Sequence, residues 1–180
     1  MNTKVQQDQI TSTLRVLPST LRVLPSTLED RRGIYDILLH SGVFGRSDAE
    51  CVDQMFGEAF TKPSDDNYRF LSCWEDSELV GFACYGREAL TQGTWDLFWV
   101  CVSSAARRKG VGRTLLNEVQ RHAEQEHVRL IVIYTSSTEK YAAARRLYES
   151  QAFTRMAIIP DYYATSDDLY IYTKRLTRKE

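Results

Sequence analysis

Arg107-Arg108-Lys109-Gly110-Val111-Gly112 sets three cations before two glycines, between an apolar run (Leu97 to Val102) and an amphipathic one (Val111 to Ala123). A strand feeding a tight glycine turn and then a helix leaves the first N–H groups of that helix without intrahelical acceptors. Those donors, with the positive end of the helix dipole, suit an anion and above all a phosphate. Glycines let the backbone approach it without side-chain interference. Asp96 is a second residue able to do chemistry, a lone carboxylate among Trp95, Leu97, Phe98 and Trp99, fourteen residues before Gly110. Apolar surroundings raise a carboxyl's pKa toward the range of a base working near neutrality. The same residue also reads as a strand-start carboxylate that pairs with an arginine or points to solvent.

Glycine spacing narrows the phosphate reading. A P-loop needs four residues between its glycines and then Lys-Ser/Thr, whereas one residue separates them here and Arg113-Thr114 follows. A dinucleotide fingerprint needs a third glycine where Leu115 stands and normally follows the first strand. Neither is met. A nucleotide- or RNA-binding use of the basic turn stays open at this point.

The chain has 180 residues, 43% hydrophobic and 26% charged, with a formal charge of −1. That fits one soluble domain with a sizeable core, and no global positive field draws nucleic acid. No apolar run approaches the length of a bilayer span, and the first residues lack the apolar core of a secretory signal. Cys51, Cys73, Cys84 and Cys101 are scattered without metal spacing, and His40, His122 and His127 are the only histidines. No metal site is expected, and reduced thiols in cytoplasm are the simplest reading. Cys101 has no nearby histidine in sequence to activate it as a nucleophile.

The N-terminus carries an exact tandem repeat, STLRVLP, at Ser12–Pro18 and again at Ser19–Pro25. Two copies are too few for a solenoid. The second leads into the helix-start pattern Thr27-Leu28-Glu29-Asp30, so it supplies the first strand (Leu21 to Leu24), and residues 1–19 become an arm. Helical spacing then covers Leu28 to His40 and Ser47 to Phe60, with Ser47 as cap and Glu50 at the third position. Strands follow at Tyr68–Trp74, Leu79–Tyr85 and Thr94–Val102, where Trp95, Leu97, Trp99 and Cys101 alternate with Asp96, Phe98, Val100 and Val102. A helix from Val111, a strand at Leu130–Tyr134, a helix at Tyr141–Tyr148 and strands at Phe153–Ile159 and Leu169–Thr173 complete the order βααβββαβαββ. This is a mixed α/β (α+β) pattern in which residues 94–134 form a right-handed crossover.

The late Arg-x-x-Gly-x-Gly turn resembles the acyl-CoA-binding motif of the GNAT N-acetyltransferases. Downstream, Tyr141 to Phe153 resembles the family pattern N-x-x-A-x-x-L-Y-x-x-x-G-F: Ala144, Leu147, Tyr148 and Phe153 match, while Tyr141 replaces the asparagine and Ala152 the glycine. The resemblance covers about residues 20–176 and delimits a domain at 20–178. It implies the GNAT fold, a mostly antiparallel seven-stranded sheet with a central splayed parallel pair and four flanking helices. It also implies acetyl-CoA as cofactor, with the backbone of Arg107, Arg108, Lys109, Gly110, Val111, Gly112 and Arg113 around its pyrophosphate. Thr114 would add a hydroxyl, Val100, Cys101 and Val102 would line the pantetheine arm, and Ala144 and Tyr148 would lie beside it.

The implied reaction is direct attack of an amine on the thioester, without a covalent enzyme intermediate. Tyr148 is the acid candidate from the family match. Its other reading is a core aromatic. Some members carry a glutamate base where Asp96 stands. Tyr134 occupies a position where relatives often carry an acid, and Thr135 and Ser136 are placed to bind substrate or a relay water. Tyr162 and Tyr163, with Asp161, Asp167 and Asp168, resemble the hairpin that lines the acceptor groove in some protein-acetylating members; an ordinary sheet-edge loop is the other reading. Phe44 to Phe60 would form the opposite wall. The expected partner is an amine acceptor, with no nucleic acid and no membrane, and the chain a monomer or homodimer. A non-catalytic CoA-binding regulatory module is the alternative.

Overall fold

In the computed structural model, residues 20–61 and 68–176 are described, and the statements below concern those. Seven strands form one sheet: β1 (Leu21–Pro25), β2 (Arg69–Glu75), β3 (Glu78–Arg87), β4 (Thr94–Val102), β5 (Leu130–Ser136), β6 (Thr154–Ala164) and β7 (Asp167–Arg175). Their spatial order is β1-β2-β3-β4-β5-β7-β6, and all neighbours are antiparallel except β4 and β5. The four helices are α1 (Arg31–Leu39), α2 (Arg46–Thr61), α3 (Val111–Gln125) and α4 (Ala142–Ser150).

The parallel pair holds together only briefly. Thr94, Trp95 and Asp96 lie opposite Leu130, Ile131 and Val132, and the pairing ends there. Beyond that point β4 keeps its β3 partners as far as Val102, and β5 keeps β7 as far as Ser136. Two strand edges therefore face each other across an open fork whose root is Asp96.

Apolar side chains put one helical layer on each face. Ile34, Leu38, Val52 and Phe56 of α1 and α2 pack with Phe70, Phe82, Cys84 and Cys101. Leu115, Leu116 and Val119 of α3, with Tyr148 of α4, pack with Trp95, Leu97, Ile131 and Ile133. Gly81 lets α3 approach closely, since a Cβ there would lie 2.8 Å from Val111 Cγ1 and 2.9 Å from the Cys101 carbonyl.

Simple alternation along β4 does not survive. A bulge against Cys84 and Tyr85 leaves Phe98 unpaired, so the phase shifts. Trp95 and Leu97 face α3; beyond the bulge Val100 and Val102 take that face, while Phe98, Trp99 and Cys101 pack toward α1 and α2. Asp96 lies on the α1–α2 face, opposite Trp95 and Leu97.

Other expectations shift at element ends. Ser47 is not the cap of α2. The helix starts one residue earlier, and the Asp48 carboxylate takes the Gly45 N–H at 2.7 Å, a charged acceptor outcompeting a hydroxyl. The first predicted helix is divided: a 3-10 turn at Leu28–Asp30 precedes α1, and the Asp30 carboxylate takes the Thr27 N–H (3.0 Å) and the Ser72 hydroxyl (2.7 Å). β6 runs on through Pro160 because it is an edge strand, where a missing N–H costs little. The second heptapeptide copy supplies β1, and the first lies outside the described residues. Among the described residues no helix is long and apolar enough to cross a membrane.

Candidate active site

The turn before α3 is built from left-handed residues. Arg108 has φ 63° and Gly110 φ 88°, and the Lys109 N–H between them donates to the Ala106 carbonyl at 3.4 Å. The first intrahelical bond of α3 runs from the Thr114 N–H to the Gly110 carbonyl at 3.0 Å, so the donors of Gly110 to Arg113 precede it. The two glycines serve different ends. A Cβ on Gly110 would meet nothing within 4 Å, whereas one on Gly112 would lie 2.8 Å from Leu147 Cδ2. Gly110 supplies the backbone angle, and Gly112 lets α3 pack on α4 against the Ala144–Leu147–Tyr148 segment.

Side chains around the turn are partly committed. The Arg107 guanidinium donates to the Ser41 carbonyl, and the Lys109 ammonium to Glu75 at 2.7 Å. The Thr114 hydroxyl donates to the Gly110 carbonyl at 3.1 Å. Arg108 and Arg113 stand exposed. Backbone donors, rather than a pool of free cations, are what this turn presents.

Below it, the fork presents the unpaired edges of Leu97–Val102 and of Ile133–Ser136. Burial pushes the Cys101 thiol up to about 12, which leaves it protonated and unfit as a nucleophile. Val100 and Val102 turn their side chains into the α3 layer, so toward the fork they offer main chain.

At the root, Asp96 is only 5% exposed, and its Oδ1 has no hydrogen-bond partner. Neither an arginine nor solvent compensates it. Burial, and then the neighbouring Glu88 carboxyl, raise it to about 7. Tyr134 lies two residues beyond Val132, the residue opposite Asp96, and so shares its face of the sheet. Tyr134 is 49% exposed; burial first, then the charges of Asp96 and Glu88, raise its phenol. Tyr148 lies on the opposite face, its ring 6.3 Å from Phe153 and 5.9 Å from Tyr172. Burial holds its phenol above the ordinary value, which favours the protonated form.

The β6–β7 hairpin is organised by its carboxylates. Asp167 accepts from the Ser136 hydroxyl at 2.6 Å, Asp168 from the Asp161 N–H at 3.0 Å, and Asp161 from the Ser166 N–H at 2.6 Å. Ser136 also bonds the Thr138 hydroxyl at 2.8 Å, and Thr135 is buried. Tyr162 and Tyr163 remain exposed, with rings edge-to-face at 5.0 Å. Tyr141 meets Phe44 at 6.0 Å, and Phe44 meets Trp99 at 5.2 Å, an aromatic bridge from the residue before α4 through the α1–α2 loop to β4.

Residues 32–153, more than half of the chain, match the model of the Acetyltransferase (GNAT) family. The chain belongs to the GNAT acetyltransferase family. It is an acyltransferase with the family's seven-stranded fold and splayed parallel pair. The uncharacterized N-acetyltransferase YsnE of Bacillus subtilis (strain 168) is 29% identical over 107 residues, 59% of this chain and 69% of that protein. The crystal structure of a GNAT-family protein from Desulfovibrio desulfuricans superposes with a TM-score of 0.82 at 29% identity, covering 88% of this chain and 100% of that one. The fold also matches yncA of Salmonella typhimurium, solved with its cofactor acetyl-CoA (TM-score 0.69, 21% identity, 87% and 94% covered).

Two departures from the GNAT pattern have structural explanations. Ala152, where the pattern has glycine, sits at φ 60° just past α4, a conformation glycine adopts without strain. Tyr141, where it has asparagine, belongs to the aromatic bridge. No motif in the sequence singles out Glu88. It is eight residues before Asp96 and comes beside it only because the chain turns between β3 and β4. No local pattern announces that.

Proposed function

We propose that this acetyltransferase moves an acetyl group from acetyl-CoA to a primary amine of a small molecule or of a peptide or protein. The observation that carries the reading is the buried Asp96 carboxyl, with its Oδ1 unbonded, at the root of a fork whose other end is the glycine turn before α3. The residues fit the cofactor. The turn is open above Gly110, and the free N–H donors of a helix start suit a phosphate. The backbone of Arg108 to Arg113 would hold the pyrophosphate, and the free edge at Val100 to Val102 would receive the pantetheine amides as an added strand. Acetyl-CoA, when bound, supplies the acetyl thioester that the amine attacks directly.

Asp96 removes the proton that an ammonium must lose before it can attack, since an alkyl amine is protonated at neutral pH. Its raised pKa matches that work. Tyr148, on the other face, is the donor for the departing thiolate. Tyr134, Tyr162 and Tyr163 shape the acceptor side. Ser136 acts through the hairpin by holding Asp167, rather than on the substrate itself. The test is release of free CoA thiol over a panel of alkylamines, arylamines and peptide N-termini. Turnover on any amine class supports the reading, whereas tight acetyl-CoA binding with no transfer to any amine overturns it in favour of a CoA-binding module.

A further inference from the structure

Glu88 opens the segment between β3 and β4, and its backbone is fixed. Its N–H donates to the Thr94 carbonyl at 2.9 Å, and its carbonyl accepts from the Thr91 hydroxyl at 2.8 Å. This hairpin closure sets its side chain against Asp96. Nearby cations are turned elsewhere: Arg87 reaches Glu126, and Arg129 donates to the Gln92 carbonyl at 2.6 Å. Among the described residues no basic side chain forms an ion pair with either carboxyl. The groups facing Asp96 are therefore Glu88 from the loop and Tyr134 from β5, with Tyr162 beyond Tyr134.

The buried Asp96 carboxyl hydrogen-bonds the exposed Glu88 carboxyl, one Asp96 oxygen stays orphaned, and the pair opens to solvent at Glu88 with no cation of the described residues beside it. We propose that Glu88 is the acceptor-binding carboxylate, selecting a cationic alkylammonium over a neutral amine and delivering it to Asp96. This rests on the acetyltransferase reading above. An ammonium at the pair favours the ionised form of Asp96, and Tyr134, on the same face of the sheet, supplies an aromatic surface of the kind that favours cations. The step balances simply: one N–H bond of R–NH3+ breaks, an O–H bond forms on Asp96, and free R–NH2 keeps the electron pair. A neutral arylamine brings no charge to offset the pair and gains nothing from Glu88.

The experiment compares wild type and Glu88→Gln on benzylamine, cationic at neutral pH, and aniline, neutral and of similar shape. The expected result is a rise of about tenfold in KM for benzylamine, aniline kinetics unchanged within about twofold, and partial rescue by Glu88→Asp. The acid limb of the benzylamine profile moves to lower pH, because Asp96 loses the neighbour that raises it. A 13C NMR titration of the Asp96 carboxyl, which needs no substrate, shifts the same way. Equal losses on both amines, an unmoved Asp96 titration, or a wild-type preference for aniline overturns the proposal. An unchanged Glu88→Gln enzyme that still acetylates amines removes this inference alone. A wild type that transfers to no amine removes the parent reading with it.

Discussion

The turn before α3 and the root of the fork are opposites. The turn holds backbone donors ahead of the helix's first hydrogen bond, with open space above Gly110. The root holds an acceptor, the Asp96 Oδ1, that no donor reaches. Buried polar groups are nearly always satisfied, so on the proposed reading the root calls for a cation, while the exposed donors of the turn suit an anion. The difference also sets how each tolerates change. The turn is a backbone device that survives most side-chain swaps, while the root depends on two named carboxyls.

The hardest way to break the comparison is to neutralise the root. Asp96→Asn should lower kcat by about 10²–10⁴-fold while leaving CoA affinity unchanged, measured by thiol release and calorimetry. Wild-type turnover should rise through pH 7 as Asp96 ionises, and the variant should lose that limb. Stability gives an independent sign. The folded state keeps the Asp96 proton up to about 7, whereas the unfolded chain releases it near 3.8, so wild-type stability falls as pH rises across that window and is flat above it. Asp96→Asn should remove the slope and unfold at a higher denaturant midpoint than wild type at pH 8. Equal midpoints at pH 8 would mean that Asp96 is solvated in the folded protein.

Tyr148 tests whether the opposite face takes part. Its ring contacts with Phe153 and Tyr172 survive in Tyr148→Phe, so stability should stay within about 0.5 kcal/mol. Turnover should drop about a hundredfold, the low end for a lost general acid, with CoA affinity untouched. A fully active Tyr148→Phe enzyme would make this tyrosine a core residue and leave the thiolate to depart without a donor.

At the turn the two glycines separate binding from packing. Gly110→Ala strains a left-handed residue by about 1–2 kcal/mol but intrudes on nothing. Gly110→Asp adds a negative charge to the same strain, so its extra loss of CoA affinity, about tenfold, measures the anion site alone. Gly112→Ala should instead cost stability, about 1–3 kcal/mol, through the 2.8 Å contact with Leu147. If both positions weaken CoA binding equally, the division of labour is wrong.

Legibility follows the same divide. The turn, the bounds of β4 and the Ala144–Leu147–Tyr148 segment are readable because each depends on residues close in sequence. The commitments of Arg107 to Ser41 and Lys109 to Glu75 span 66 and 34 residues, and no spacing rule reaches that far. The bulge at Phe98 carries no glycine or proline to mark it, so the alternation of β4 reads as regular. Glu88 was hidden for the same reason: a hairpin closure, not a motif, brings it to Asp96.

The smallest effect belongs to the duplicated heptapeptide. Removing Ser12–Pro18 and removing Ser19–Pro25 give one and the same chain, because the copies are identical and both precede Ser or follow Thr11 in the same frame. A single deletion thus keeps an intact LRVLP segment directly before Ser-Thr-Leu-Glu-Asp, the order in which Leu21–Pro25 pairs with β2. β1 needs only those five residues, and both ends of the fork lie on other strands. The shortened chain should match the parent within about 0.5 kcal/mol in denaturation and in its kinetics with any amine. A loss of turnover without a loss of stability would bring the extra copy into the acceptor side, and so would add a third element to a site otherwise divided between turn and root.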